Sequence, residues 1–441
     1  MKYLLILLAL FIANPSVYAK TVEYQLKNGM KLVVREDHRA PVVVSQVWYK
    51  IGATYEHDGI SGVSHVLEHM MFKGTKNLKP GEFSEIIAEN GGSENAFTSK
   101  DYTAYFQRIS SDRLELCLSL EADRMRNLVF IEKEFKKEVE VVKEERRLRV
   151  DNKPKAKLFE QFHATAFLNS PQRIPTIGWM SDLDQLTMED AEQWYQRWYA
   201  PNNAILVIVG DVKAEEVYAL TQKYFADFKA MEIKQPKLRN EIKQTGVRSI
   251  TLHDKVSSPY LIMGYKVPVL NTAIDKKVPF VLDVIGGILD GGSSARFSKH
   301  LLRGKEVAVE VGTSYDLYSR LGGLFLFAGT PTPKSNLDAL QLAIEDQINE
   351  LKQTPVSQQE LERVIAQVIA GKIYDRDSMF NMGMQMGILE SSGFEWQDLD
   401  KYEKEIKKVS IEDIQRVAKL YFNDDQLTLA KLLPKVQQGA E

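Results

Sequence analysis

Cysteine, charge of one sign and long apolar runs are all scarce in this sequence. A single cysteine, Cys117, occurs among 441 residues, which excludes a disulfide framework. Its apolar neighbours in LELCLSLEADRM favour a small buried side chain over a nucleophile at this position. The formal net charge is only -3, so the composition predicts no basic surface for nucleic acid. We therefore expect no nucleic-acid partner.

The most apolar run lies at the N-terminus and is short for a membrane span. Residues 4–13 are all apolar, about half of the roughly 20 residues that a membrane-spanning helix needs. A lysine precedes this run, and a proline and Val-Tyr-Ala follow it, which is the pattern of a secretory signal. A membrane anchor would need a longer run, and a mitochondrial presequence would be rich in arginine. We predict a signal peptide at residues 1–19 and a mature chain that is periplasmic or secreted, with no stable membrane anchor.

The length of the chain and an internal repeat both indicate two domains. A single hydrophobic core rarely serves a chain as long as 441 residues. The segment from Thr187 can be laid over the segment from Ser410, because each has the pattern of a capped helix, an aromatic pair, a turn and a strand. We predict two similar α/β halves, residues 20–228 and 247–441, joined by a polar linker at 229–246.

Strand and helix signals follow one another along the first half. Residues 21–52 alternate and are rich in β-branched side chains, with Asn28-Gly29 as a turn. Later segments show helical periodicity or the composition of strands. The remaining predicted elements are helices around residues 65–69, 79–92, 111–150 and 182–199, an extended segment at 93–109 and a buried strand at 204–211.

The stretch HVLEHMMFKGT, residues 65–75, carries the strongest chemical signal. His65 and His69 are four residues apart and therefore project from one face of a helix, with Glu68 beside them. Two ordinary histidines on a surface helix are the alternative interpretation. The neighbouring side chains are apolar, however, and two unpaired imidazoles would be costly to bury there. A zinc ion would give each ring a ligand bond.

A catalytic zinc ion usually has three protein ligands and one open position, so a third ligand must come from elsewhere in the chain. The charged segment KKEVEVVKEERRLRV offers four glutamates. Glu138 and Glu145 are seven residues apart and share one helical face, whereas Glu140 and Glu144 point elsewhere. Spacing alone does not choose between the two that share a face. Glu68 is placed to accept a proton from a water molecule on the metal.

Three motifs together resemble the M16 peptidases, the family of pitrilysin, insulin-degrading enzyme and mitochondrial processing peptidase. They are HVLEHMMFKGT, GGSENAFTSKDYTAYF and EVEVVKEERRLRVDN, in this order, and the first has the inverted zinc motif His-x-x-Glu-His. The resemblance extends over nearly all of the chain after the signal. It implies one Zn²⁺ per chain, held by His65, His69 and Glu145, with Glu138 as a supporting carboxylate near the site.

The resemblance also implies a fold, a substrate and an assembly. The expected fold is α+β, with two homologous α/β-roll domains, each a mainly antiparallel sheet packed with helices, and a second domain without metal. Asn95 and Ala96 are similar to residues that bind the substrate backbone by adding the peptide to a sheet edge; an ordinary strand is the alternative. The short-subunit branch of the family forms dimers that enclose a chamber, so a homodimer or a heterodimer with a second M16-like subunit is expected.

The second half departs from the family pattern at one place. Family members that bind substrate through an Arg/Tyr pair have the tyrosine seven residues after the arginine. In LLRGKEVAVEVG, Arg303 matches the arginine, but Glu310 stands where the tyrosine is expected, and Tyr315 is the nearest tyrosine downstream. Three explanations remain open: Arg303 suffices, another residue substitutes, or a second subunit supplies the pair.

Two weaker signals have ordinary explanations. The methionine-rich stretch SMFNMGMQMG could bind a soft metal, but methionine is more often filler in a core or an interface. GGILDGGSSARF is rich in glycine but has no Gly-Lys-Ser/Thr ending, so it indicates a loop after a helix and not a phosphate site.

The sequence therefore predicts a zinc endopeptidase that hydrolyses exported or unfolded peptides, with Glu68 as general base. The alternative is a binding or assembly subunit that shares the fold and needs a partner chain for activity. Retention of every residue of the zinc set favours the enzyme, and Glu310 keeps the alternative open. Metal storage, a third possibility, would not require Glu68.

Overall fold

The computed structural model describes residues 20–435, so the predicted signal peptide lies outside the described residues. The first half of the chain forms a six-stranded sheet in the order β1-β2-β6-β3-β5-β4. Neighbouring strands are antiparallel except β2 and β6, which are parallel. The strands are β1 (Thr21–Gln25), β2 (Lys31–Glu36), β3 (Val42–Tyr49), β4 (Ser93–Thr98), β5 (Thr103–Ser110) and β6 (Ala204–Gly210).

Eight α-helices belong to this half by sequence, all within the described residues. Most of them cover one face of the sheet, where their apolar side chains form the core of the first half. They are α1 (Val63–Met70), α2 (Glu82–Glu89), α3 (Leu114–Asn127), α4 (Glu132–Arg146), α5 (Pro154–Ala166), α6 (Met180–Leu183), α7 (Met188–Trp198) and α8 (Ala214–Phe225).

The second half forms a five-stranded sheet in the order β7-β11-β8-β10-β9. Its strands are β7 (Arg248–Asp254), β8 (Tyr260–Val267), β9 (Ala308–Ser314), β10 (Gly323–Pro331) and β11 (Leu427–Pro434). Its helices are α9 (Val278–Asp290), α10 (Leu337–Gln353), α11 (Gln358–Asp375), α12 (Met379–Ser391), α13 (Asp398–Ile406) and α14 (Ile411–Tyr421).

The two sheets repeat one arrangement, which confirms the predicted fold class. In each sheet one pair of strands is parallel, β2–β6 in the first and β7–β11 in the second, and the other pairs are antiparallel. The repeated segments also match in detail. Thr187 and Ser410 each form a capping box with an aspartate three residues on, at the start of α7 and α14.

The halves exchange one helix each, which the sequence did not predict. Helix α5 packs on the second sheet, where Leu158 and Phe162 lie in one buried cluster with residues of β8 and β11. Helix α12 packs on the first sheet, where Met382 and Met386 join a cluster around Trp48. The methionine-rich stretch is thus filler at the interface between the halves. Each half covers a sheet face that would otherwise be exposed.

The segment at 229–246 has no helix or strand, yet it is tied to both halves. The Glu241 carboxylate accepts backbone hydrogen bonds from Asn169 and Ser170, both at 3.0 Å, and Lys266 lies 3.0 Å from it. Burial opposes ionisation of Glu241, but these hydrogen bonds lower its pKa to about 2. The Gln244 side chain donates to the backbone oxygen of Leu427 at 2.6 Å. The segment is therefore an irregular connection that is hydrogen-bonded to residues of both halves.

Two further expectations concern Cys117 and the membrane. The structure buries Cys117 in the first core, and burial raises the pKa of its thiol to about 12, so the thiolate is disfavoured.

Between residues 20 and 435, every helix is too short or too polar to cross a bilayer.

Candidate metal centre

Helix α1 is held at its N-terminus by a buried carboxylate. Gly62 precedes the helix with φ 90°, a left-handed conformation that favours glycine. The Glu56 carboxylate accepts the backbone N–H of Gly62 at 2.8 Å and of Ser64 at 2.9 Å. Burial raises the pKa of Glu56 to about 7, which these two hydrogen bonds oppose. Glu56 thus fixes the start of the helix that carries the His-x-x-Glu-His motif.

The structure brings His65, His69 and Glu145 together. Glu145 lies on the last turn of α4, and its Oε2 is 3.6 Å from His65 Nε2 and 3.5 Å from His69 Nε2. The ligand atoms of the three residues all lie within 4.8 Å of one another. Ligands at the usual zinc distances in tetrahedral geometry are roughly 3.3–3.6 Å apart. Both distances from the Glu145 oxygen have this spacing, so the three residues fit a zinc ion.

Glu138 has a different place from Glu145, which separates the two candidates that spacing left open. Its Oε2 lies 3.1 Å from His69 Nδ1, and its Oε1 lies 2.8 Å from Lys73 Nζ. Burial would raise the pKa of Glu138, but the hydrogen bonds from His69 and Lys73 outweigh it and lower the pKa. Glu138 can thereby orient the His69 ring and leave Nε2 free for an ion.

His65 is the more deeply buried of the two histidines. Burial, and next the nearby His69, lower the pKa of His65 to about 3, so its imidazole is neutral, as a metal ligand must be. Its Nδ1 has no hydrogen-bond partner within residues 20–435. The His65 ring is buried with its Nε2 directed at Glu145, and a bound ion would stabilise this arrangement.

Glu68 stands beside the cluster and is held by a strand of the sheet. The Thr98 hydroxyl on β4 donates a hydrogen bond of 2.5 Å to Glu68 Oε2. Burial raises the pKa of Glu68 to about 7, while the hydrogen bond from Thr98 acts in the opposite direction. Its side chain faces the same cavity as the two histidines.

A cavity of about 1280 Å³ opens from the cluster between the two halves. One wall contains His65, Glu68, His69 and Glu145 together with β4, including Asn95 and Ala96. Residues of α5 and Tyr260 on β8 also line the cavity. Because β4 is the edge strand of its sheet, its outer backbone groups can pair with an extended chain in the cavity.

The described chain does not bring Arg303 to this cluster. The Arg303 side chain is exposed and donates to the backbone oxygens of Ser298 and Ser293, and it is absent from the cavity walls of residues 20–435. Glu310 forms an ion pair of 2.6 Å with Lys155. The hydroxyl of Tyr315 donates to the backbone oxygen of Pro268 at 2.6 Å, so it does not replace the missing phenol.

Comparison with known proteins identifies the family of this chain. Residues 31–178 match the family profile described as Insulinase (Peptidase family M16), and residues 185–368 match the profile of the Peptidase M16 inactive domain. The chain belongs to peptidase family M16. Over 437 residues it is 34% identical to a protein named zinc protease PqqE of Helicobacter pylori, covering 98% of this chain and 97% of that protein. Peptidase family M16 thus includes a similar protein that is named a zinc protease.

Two solved structures have a fold similar to that of this M16 chain. The crystal structure of a protease from Helicobacter pylori is 33% identical, has a TM-score of 0.88, and covers 95% of this chain and 100% of that chain. The periplasmic protease PqqL from Escherichia coli has a TM-score of 0.80 at 17% identity, over 94% of this chain and 47% of that chain. The latter likeness shows the fold alone. This M16 chain spans about half of the longer protein.

Three residues at the site were missed or given no role by sequence reasoning. Glu56 accepts N–H groups at the start of α1, but it does not occupy the N-cap position, which is Gly62. The capping preferences of the sequence therefore give no indication of its role. Thr98 lies in the motif GGSENAFTSKDYTAYF, but sequence reasoning assigned it no role. Arg149 follows Glu145 by four residues, and its position on the same face of the helix could have suggested an ion pair.

Proposed function

We propose that this protein is a zinc-dependent endopeptidase that hydrolyses exported or unfolded peptides. The observation that carries the proposal is the cluster of His65, His69 and Glu145, which opens into a cavity beside the buried carboxylate of Glu68. The three residues would hold one Zn²⁺ per chain. When bound, zinc acts as a Lewis acid that lowers the pKa of a bound water to about 7 and polarises a carbonyl group.

Residues of this chain supply the proton transfer, the orientation of a metal ligand and the binding of the peptide. Glu68, oriented by Thr98, accepts the proton of the attacking water and returns it to the departing amine. Glu138 holds the His69 ring through Nδ1. A peptide pairs with the edge of β4 at Asn95 and Ala96, which requires an extended backbone and so favours unfolded substrates.

Cleavage of an unstructured fluorogenic peptide by the purified mature chain tests the proposal. We expect turnover that stops when zinc is chelated and returns when zinc is added back in stoichiometric amount. A chain that binds one zinc ion but cleaves no peptide would contradict a self-sufficient enzyme. Recovery of activity on adding a second M16-like subunit would then support the alternative, a subunit of a heterodimer. Glu310 and the remote position of Arg303 are the observations that favour this alternative.

We further propose export of the chain with cleavage after Ala19, on the strength of the N-terminal pattern. The mature N-terminus is then Lys20. N-terminal sequencing of the protein from a periplasmic or secreted fraction should read KTVEYQ. An intact N-terminus in the membrane fraction would contradict export with cleavage. Size measurement of the same material shows whether it is a dimer.

A further inference from the structure

Arg149 extends the metal cluster beyond its ligands. It lies in a π-helical turn, Arg147–Asp151, that continues α4, and such turns often occur at functional sites. Arg149 Nη1 is 2.6 Å from Glu145 Oε1. The other oxygen of Glu145, Oε2, faces His65 and His69. The ion pair therefore assigns the two oxygens of Glu145 to different partners, one to the guanidinium and one to the proposed metal.

The Arg149 guanidinium faces the cavity and not the protein interior. Its side chain is 70% exposed, and the residue lines the cavity together with Asn95 and Ala96. Its positive charge also acts on the neighbouring side chains. Burial is the main influence on the pKa values of His65 and Glu68, and the charge of Arg149 contributes to lowering both. A guanidinium has five N–H donors, so the ion pair with Glu145 leaves several of them available.

The other cations on the cavity walls pair with residues outside the metal cluster. Lys100 Nζ donates to the backbone oxygens of Gln172, at 3.1 Å, and Ile174. Arg173 donates to Asp58 at 2.7 Å, and Lys155 pairs with Glu310. These contacts hold the three cations at the walls. Among the cavity-lining cations of residues 20–435, Arg149 is the one that pairs with a residue of the cluster, Glu145.

We propose that Arg149 is a catalytic residue that binds the carbonyl oxygen of the scissile peptide bond. This inference rests on the proposed function. As the water oxygen bonds to the carbonyl carbon, the electron pair of the C=O π bond moves to the carbonyl oxygen, and Glu68 takes the proton of the water. Arg149 stabilises the negative charge on that oxygen. When the electron pair returns, the C–N bond breaks and the amine nitrogen receives the proton from Glu68.

The charge of Arg149 would substitute for the phenol that is absent at position 310. Glu310 carries a negative charge and already binds Lys155, so it offers no donor to an oxyanion. A donor aimed at a developing oxyanion contributes about 10²–10³ in kcat. Arg149 lies on the same helical segment as Glu145, so this donor is fixed relative to the metal without a second subunit.

Substitution Arg149→Gln, in the full mature chain loaded with zinc, tests the proposal. We expect kcat for a fluorogenic peptide to fall by about 10²–10³ while KM changes little, because the contact forms in the transition state. Zinc should stay at one ion per chain, since the Gln amide can still donate to Glu145. Arg149→Lys should recover part of kcat. Arg147→Gln is the matched control, because Arg147 lies in the same turn but pairs with Glu144 at 3.1 Å.

A binding measurement separates this inference from the proposed function. A peptide phosphonate carries a tetrahedral anion, and we expect the zinc-loaded chain to bind it about 10²-fold more tightly than Arg149→Gln does. Equal affinities would overturn the role of Arg149, and so would loss of zinc in the variant, which would make Arg149 only a support for Glu145. A wild-type chain that binds the phosphonate through Arg149 but cleaves no peptide would refute the proposed function alone.

Discussion

Replacing Glu68 by Gln should lower kcat for peptide cleavage by about 10²–10⁴-fold, the range that general acid–base catalysis contributes. The amide has nearly the shape of the carboxylate and can still accept the hydrogen bond from Thr98, so the fold of the site is retained. It cannot accept the proton of the attacking water. The zinc content should remain one ion per chain, because His65, His69 and Glu145 are unchanged.

Parallel activity and zinc measurements on three variants check this expectation. Glu140→Gln is the matched control, because Glu140 lies on α4 with an exposed side chain that pairs with Lys143 at 2.8 Å. Its activity and zinc content should equal those of the wild type. His69→Ala should lose the metal together with the activity, since it removes a ligand. Normal turnover by Glu68→Gln would refute the role of Glu68 as base.

The local part of the site was predictable because helix spacing is a short-range property. The four-residue interval places His65 and His69 on one face, and the structure has them there. The same rule selected Glu138 and Glu145 but did not assign them, since both lie on the correct face of α4. Only the packing of α4 against α1 directs one carboxylate to Nδ1 of His69 and the other to the Nε2 atoms.

The fold was predictable where two copies could be compared. The capped helix and strand that follow Thr187 and Ser410 recur in both sheets as expected. The limits of helices were predicted less well. The helix predicted for residues 182–199 is two helices, because Thr187 adopts an extended conformation and caps α7, and the helical region at 111–150 is interrupted between α3 and α4.

The exchange of α5 and α12 had no signal in the sequence, because an apolar helix face does not specify which sheet covers it. The cavity depends on this exchange, since residues of α5 line it while the helix packs on the second sheet. The same exchange explains Gly387 in α12. A Cβ atom at this position would overlap the ring of Trp48 on β3, so glycine permits the close approach of helix and sheet.

The core of the first half contains a buried ion pair on α3. Arg124 and Glu121 on α3 are both 0% exposed, and Arg124 Nε donates to Glu121 Oε2 at 2.7 Å. The guanidinium lies 4.3 Å from the ring centre of Tyr105 and 4.4 Å from that of Phe83. Arg124→Met keeps the apolar volume but leaves the Glu121 carboxylate buried without its counter-charge. We expect a loss of about 3–5 kcal/mol in the free energy of unfolding.

Urea unfolding of the variant, followed by circular dichroism, measures this loss. Arg126→Met is the matched control on the same helix, because Arg126 is exposed, and its change should stay within about 0.5 kcal/mol. Adding Glu121→Leu to Arg124→Met removes the uncompensated charge and should restore part of the stability. Equal stability of Arg124→Met and the wild type would contradict a stabilising role of this ion pair. The Arg124 guanidinium also lies 5.2 Å from the ring centre of Phe72, which follows α1, so the pair packs beside the end of that helix.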